Sequence, residues 1–302
     1  MPVQFVRPSS FIALSFIASG ILTGCTSRAD GAVDHSAHET ASPAGTVAVA
    51  DNPSLPADAA GARARLASSP RHGEWVTFRS GADSIRAWLV YPERKTNAPV
   101  IVVVHEIYGL SPWIRAVADQ FAKEGYIAIA PDLLTMKNLP NATDSVSSDL
   151  ATAAIRTLNA DDVQRYVDAS ANYAMGLPSA LKKYGVVGFC WGGGVSFQHA
   201  VHSPSLAASV VYYGVAPATE SLSSIKAPVL GLYGGSDARV GATVPPADSA
   251  MKALGKTFTH YSYEGAAHGF LRQQSGQDGA NLTATQQAWP ATIAWFRRYL
   301  GA

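Results

Sequence analysis

Cys190 lies in Gly188-Phe189-Cys190-Trp191-Gly192, with Gly193 and Gly194 following at once. A thiol framed by glycines is a candidate nucleophile, because the chemistry needs a side chain presented from a tight, strained backbone turn. Before it runs Tyr184-Gly185-Val186-Val187, a short β-forming stretch; after it Val195, Phe197 and Ala200 suit a helix. Strand, Gly-x-nucleophile-x-Gly turn and helix together describe a nucleophile elbow, with cysteine where serine is commoner. A helix N-terminus beside the sulfur favours a thiolate and a neighbouring oxyanion. The competing reading is a buried structural cysteine beside a glycine-rich turn, since free cysteine is among the most buried residue types.

An elbow nucleophile needs a base and a group that orients the base. In elbow enzymes the acid and the histidine follow the nucleophile in chain order, each on a loop after a later strand. Asp237 in Gly234-Gly235-Ser236-Asp237 and His268 in Ala266-Ala267-His268-Gly269-Phe270 hold those positions. Taken singly, Asp237 also suits a turn and His268 a solvated surface. Their order behind Cys190 is what argues for chemistry. The other histidines fit less well: His199 and His202 fall on the helix after the elbow, His260 within a strand and His72 before the first strand. His105 ends a strand but precedes the nucleophile. No Gly-x-Ser-x-Gly occurs in the chain.

The elements that must position these residues are legible. Glu74 to Phe78 and Ile85 to Tyr91 read as a strand pair around a polar turn, and Val100 to Val104 as a strand covered on both faces. Ser111 and Pro112 open a helix that Gly125 stops. Further strands are expected at Ile127 to Ala130, Ala207 to Tyr213, Val229 to Tyr233 and Phe258 to Tyr263. Two helical segments precede the elbow strand, and a closing helix carries Trp289, Ile293, Phe296 and Leu300 on one stripe. Leu133 to Asp149 begins as a loop of no readable pattern. This alternation predicts an α/β fold with an open, mostly parallel twisted sheet and helices on both faces.

The sequence resembles the dienelactone hydrolase (carboxymethylenebutenolidase) family, a cysteine-dependent branch of the α/β-hydrolases. The residues that carry the resemblance are Glu106-Ile107-Tyr108-Gly109, Gly188-Phe189-Cys190-Trp191-Gly192-Gly193, Asp237 and His268-Gly269-Phe270. It implies Cys190 as nucleophile, His268 as base and later acid, Asp237 as orienter, and Glu106 as the carboxylate that helps generate the thiolate. It also implies an oxyanion hole from the backbone N–H groups of Ile107 and Trp191, and substrate binding by Arg272 and Tyr108. A second carboxylate-binding arginine has no confident counterpart; Arg156 is the nearest. The expected reaction is hydrolysis of a small ester or lactone through a Cys190 thioester, without metal or organic cofactor.

The N-terminal segment adds a location. Met1 to Gly24 reads as an export signal, with Arg7 in its basic part and an apolar run from Phe11 to Leu22 that is short for a bilayer span. It ends in Leu22-Thr23-Gly24-Cys25, which resembles a bacterial lipobox, so lipidation of Cys25 is expected; an ordinary secretory signal is the alternative. Residues 25–70, rich in Ala, Ser, Pro, Gly and Asp, are expected to be a flexible tether, and residues 71–302 the catalytic domain. His35, His38 and Glu39 in the tether carry little weight as a metal site. With 23 Lys and Arg against 22 Asp and Glu, scattered, there is no footprint for nucleic acid. The expected molecule is an exported, membrane-anchored monomer on the periplasmic side or the cell surface. Two rivals remain: a non-catalytic ligand-binding lipoprotein on the same fold, and a redox-active thiol, which the lack of a second cysteine in the domain disfavours.

Overall fold

The computed structural model describes residues 52–140 and 146–301. The export signal, Cys25, the His35–Glu39 group and the middle of the Leu133–Asp149 loop lie outside the described residues. Eight strands form one sheet in the order β1-β2-β4-β3-β5-β6-β7-β8. They are β1 (Gly73–Ser80), β2 (Asp83–Val90), β3 (Ala98–Val104), β4 (Ile127–Pro131), β5 (Ala180–Phe189), β6 (Ala208–Tyr212), β7 (Val229–Gly234) and β8 (Phe258–Tyr263). The β1/β2 and β2/β4 pairs are antiparallel; every other pair is parallel.

The unbroken apolar runs went where such runs must go. Every residue of β3, β4 and β6 is buried, because helices cover both sheet faces. The helices are α1 (Ala62–Ala67), α2 (Pro112–Lys123), α3 (Ser148–Ile155), α4 (Ala160–Met175), α5 (Trp191–His202), α6 (Ala238–Gly241), α7 (Val244–Ala253) and α8 (Ala280–Leu300). Apolar side chains of α2, α3 and α8 pack on one face, and those of α4, α5 and α7 on the other. Ser111 caps α2 by accepting the Ile114 N–H, with Pro112 at the first position, and Gly125 ends the connection at φ 98°. Trp289, Ile293, Phe296 and Leu300 of α8 are all buried, as their spacing required.

The folded part begins earlier than the expected boundary at residue 71. Leu55, Ala57 and Ala62 are buried, and the segment around them is pinned from elsewhere in the chain. Trp113 Nε1 donates to the Ala57 carbonyl at 3.1 Å and Gln274 Nε2 to the Pro56 carbonyl at 2.9 Å. The Ala59 N–H donates to the Arg272 carbonyl at 2.9 Å. Arg71, just beyond, forms a bidentate pair with the buried Asp119, at 2.6 Å for its shorter arm. A segment held by single apolar residues and by other elements' side chains carries no periodicity, so composition alone misassigned residues 52–70.

Removing this brace should cost stability. A chain beginning at Arg71 loses the burial of Leu55 and the cover over Trp113, a loss on the order of 2–4 kcal/mol. It should therefore melt roughly 5–15 °C below a chain beginning at Asn52. Thermal unfolding of the two, side by side, checks this; equal midpoints would mean that the brace is not part of the folded unit.

Candidate active site

Parallel strands deliver their C-terminal ends to one edge of the sheet, and the candidate residues follow those ends. His105 and Glu106 leave β3, Cys190 leaves β5, Asp237 follows β7 and His268 follows β8. Cys190 takes φ 56° and ψ −119°, a conformation costly for a residue with a side chain. The turn exists only because its neighbours have no Cβ. One added at Gly188 would sit 1.8 Å from the Gly192 carbonyl oxygen, and one at Gly192 would sit 2.3 Å from the His105 carbonyl oxygen. That second approach presses the elbow against the end of β3, so Trp191 and the Glu106–Ile107 loop are neighbours. The His105 and Trp191 rings stack across the join, 5.6 Å between centroids.

His268 Nδ1 lies 2.5 Å from Asp237 Oδ2. A carboxylate only accepts, so Nδ1 carries the hydrogen and neutral His268 keeps its basic lone pair on Nε2. The other carboxylate oxygen of Asp237 accepts the Val240 N–H at 3.3 Å, capping α6 and fixing the carboxylate's orientation. Burial alone would raise the Asp237 pKa. The hydrogen bond and charge of His268, helped by the Val240 amide and Arg239, instead hold it below its ordinary value. Asp237 thus stays ionised as the partner of the imidazole.

Glu106 is buried, with Arg272 Nε 2.8 Å from its Oε1. The Arg272 N–H is not well aimed along that line, so the contact is an ion pair rather than a directed hydrogen bond. Burial pushes the Glu106 carboxyl up to about 7 against this pull. The Arg272 guanidinium also lies over the Tyr108 ring, 4.6 Å from its centroid. Arg272 and Tyr108, expected as substrate contacts, therefore form a closed group with Glu106. The Ala59 brace bonds to the backbone carbonyl of this same arginine. Arg156 is exposed at the C-terminal cap of α3.

Cys190 corrects one expectation. A helix N-terminus favours a thiolate, and the Trp191 amide does hydrogen-bond towards the sulfur. Yet burial, joined by the negative charge of Glu106, pushes the thiol up to about 12. In this state Cys190 is a protonated thiol. Desolvation of a nearly buried sulfur outweighs the partial charge of a helix terminus.

The rival histidines have structural partners. His199 is buried between Gln164 at 2.9 Å and the Tyr184 hydroxyl at 3.1 Å. His202 meets Asp168 at 3.0 Å, His260 lies 3.6 Å from Asp248, and His72 stacks on Tyr91. His105, whose burial lowers its pKa, accepts the Leu133 N–H on Nε2 and donates from Nδ1 to the Glu106 carbonyl. It braces the loop that carries Glu106.

Two residues escaped the sequence reading. Arg239, two residues past Asp237, lowers the pKa of both Asp237 and Cys190 by its charge. Tyr213, following β6, is fully buried with its ring 5.1 Å from that of His268. Nothing local marks either one, because both reach the site from neighbouring loops. Among the described residues no group of three His, Cys, Asp or Glu could hold a metal ion.

An eight-stranded, mostly parallel sheet of this order, with Cys190, Asp237 and His268 following β5, β7 and β8, defines an α/β-hydrolase fold. Within that class the sequence matches the dienelactone hydrolase family over residues 85–300, and the chain belongs to that family. It is 31% identical over 234 residues to a "putative carboxymethylenebutenolidase" of Methylorubrum extorquens, covering 71% of this chain and 77% of that one. It is 32% identical over 236 residues to the protein usf of Aquifex pyrophilus, covering 76% and 99%. The crystal structure of a "putative dienelactone hydrolase" from Klebsiella pneumoniae superposes with a TM-score of 0.67 at 26% identity, covering 76% of this chain and 99% of that one.

The pKa values at Glu106 and Cys190 have consequences that can be measured. The folded chain keeps a proton on Glu106 between about pH 4.5 and about 7, where the unfolded chain has released it. Its contribution to stability is therefore complete below pH 4.5 and lost as pH rises through about 7. Unfolding free energies should show wild type gaining on Glu106→Gln as pH falls through that window. A difference independent of pH would contradict it. Removing the Glu106 charge should also make Cys190 react several-fold faster with iodoacetamide at pH 8.

Proposed function

We propose that this protein hydrolyses small carboxylic esters or lactones through a thioester on Cys190. The observation that carries the reading is the His268–Asp237 pair together with the elbow thiol on which the Asp237 and Glu106 charges act, Glu106 itself being paired with Arg272. A substrate that carries a carboxylate competes with Glu106 for Arg272. Once Arg272 turns to the substrate, Glu106 loses its counter-ion and becomes more basic beside the thiol. It helps draw the hydrogen off sulfur, and His268 Nε2 receives that proton as sulfur attacks the carbonyl carbon.

The resulting oxyanion is held by the backbone N–H groups of Ile107 and Trp191, which stand at the join of the β3 loop and the elbow. His268 then returns its proton to the leaving oxygen, the C–O bond breaks, and the alcohol departs, leaving the acyl group on sulfur. A water next gives its proton to Nε2 while its oxygen attacks the thioester. Cleavage of the C–S bond releases the acid, and the sulfur regains a proton from His268. In a lactone the alcohol and the acid are two ends of one product. No metal or organic cofactor has a step in this cycle.

The resting thiol has a use in this reading. A nucleophile that stays protonated until a carboxylate-bearing substrate moves Arg272 resists alkylation and oxidation between turnovers. That protection suits a lone thiol in an oxidising compartment. We place the protein there: residues 1–24 as an export signal, Cys25 as the lipid-bearing residue, and the following stretch as a tether holding a monomeric domain near the membrane. No helix among the described residues is long and apolar enough to cross a membrane; in this reading the anchor is the lipid on Cys25.

Two substitutions separate the chemistry from the binding. Cys190→Ala should abolish hydrolysis of dienelactone and of short aryl esters, with a fall of at least about 10³-fold. Unaltered turnover would exclude the thioester route. Arg272→Met should raise KM at least about tenfold for esters bearing a carboxylate and leave neutral esters far less affected. Equal effects on both would show that Arg272 does not select for the acid group. Labelling with radioactive palmitate in a bacterial host, lost in Cys25→Ala, checks the anchor.

A further inference from the structure

Tyr213 is a buried phenol whose hydroxyl has no hydrogen-bond partner. Leaving such a group unpaired costs on the order of 1–3 kcal/mol, so its presence calls for an explanation. Tyr126 and Tyr233 also have unpartnered hydroxyls, but their surroundings differ. The charges around Tyr126 belong to Arg297, Glu124 and Arg94, away from the site residues, and no charge acts on Tyr233. The ionisable groups that act on Tyr213 are Glu106 first, then Cys190, with Tyr212 and Arg272 after them. Burial and Glu106 hold its pKa well above the ordinary value, so the hydroxyl keeps its hydrogen and can donate.

The backbone places Tyr213 beside the nucleophile. Phe189 and Tyr212 are the last paired residues of β5 and β6, so Cys190 and Tyr213 leave adjacent parallel strands side by side. The Cys190 N–H donates to the Tyr212 carbonyl at 3.1 Å, tying the two exits together. Both residues have positive φ, 56° at Cys190 and 39° at Tyr213, uncommon for residues with side chains. The residue after Tyr213 is glycine for a related reason: a Cβ on Gly214 would lie 2.2 Å from the Gly193 carbonyl carbon. The Tyr213 ring is wedged against His268 at 5.1 Å and edge-on to Phe270 at 5.3 Å, so it has little freedom to swing away.

We infer that Tyr213 is a further catalytic residue, whose hydroxyl donates a hydrogen bond to the Cys190 sulfur when that sulfur carries negative charge. This rests on the reading of Cys190 as the nucleophile. The phenol has no hydrogen-bond partner at rest, so its O–H is available to a sulfur that turns towards it as a thiolate, which accepts hydrogen bonds well. The ring is held by His268 and Phe270, so the donor is fixed and only the sulfur has to turn towards it when the charge appears. It adds to the Trp191 amide a second donor in a setting where burial and Glu106 both oppose the anion. No covalent step is added to the cycle, and the phenol keeps its proton throughout.

The test compares Tyr213→Phe with Tyr212→Phe, Cys190→Ala and the wild type in the full-length protein. Tyr213→Phe should slow iodoacetamide alkylation of Cys190 at pH 9 by about tenfold and lower kcat by roughly 10–100-fold, as expected for a lost hydrogen bond to a charged group. Its melting temperature should be unchanged or higher, because the unpartnered hydroxyl is gone. Tyr212→Phe serves as the contrast. The Tyr212 hydroxyl already pairs with Thr292 Oγ1 at 2.7 Å, so this variant should melt lower while alkylation stays at the wild-type rate. If Cys190→Ala is inactive and Tyr213→Phe alkylates and turns over as wild type does, this inference alone falls. A lower melting temperature in Tyr213→Phe with an unchanged alkylation rate also overturns it, leaving a packing role. If Cys190→Ala retains full turnover, the nucleophile reading falls first and takes this one with it.

Discussion

The whole site depends on how closely two pieces of backbone can approach. Gly188 and Gly192 meet across the elbow, and Gly193 meets Gly214 where β6 ends. Each approach is shorter than any Cβ would permit. Those contacts turn the chain sharply enough to lift Cys190 off the strand and start α5 immediately behind it. They also bring the ends of β3, β5 and β6 within reach of one another, so that Glu106, Cys190 and Tyr213 act on one another electrostatically. The strain at Cys190 persists because the sheet and the covering helices over-determine the turn.

Around that turn, the electrostatics set a resting state distinct from the reactive one. Glu106 is neutralised by Arg272, Asp237 is committed to His268, and the sulfur keeps its hydrogen because burial disfavours the thiolate. The low dielectric that makes the thiolate costly also strengthens each donor aimed at it. In the proposed cycle such a site is quiet until a charged ligand rearranges its pairs. The Ala59 brace extends the arrangement outward, since it holds the backbone of Arg272 from a segment that lies before the family's shared region.

The eight strands were legible because each runs apolar or alternates between turn residues, and parallel strands buried on both faces admit little else. Of the candidate site, Cys190, Asp237 and His268 could be picked out by order and spacing behind the elbow. Tyr213 was not, since it reads simply as the last residue of a β-forming run, and the backbone leaves the strand one residue earlier. Residues 52–70 were not either, for a related reason. Their partners, Trp113, Gln274 and Arg272, are distant in the chain, and a hydrogen bond to a distant side chain leaves no periodic mark.

By itself, then, the sequence determined the fold class, the elbow and the order of the residues behind it, because glycine spacing and hydrophobic periodicity are local properties of the chain. Only the tertiary structure decided the ionisation of the sulfur, the pairing of Arg272 with Glu106, and the company of Tyr213. Desolvation and charge pairing depend on what surrounds a group in space. For Cys190 the surroundings come from the loop after β3 and the segment beyond β7, and the Tyr213 phenol proposed as its further donor follows β6. No window of sequence around the cysteine contains all three.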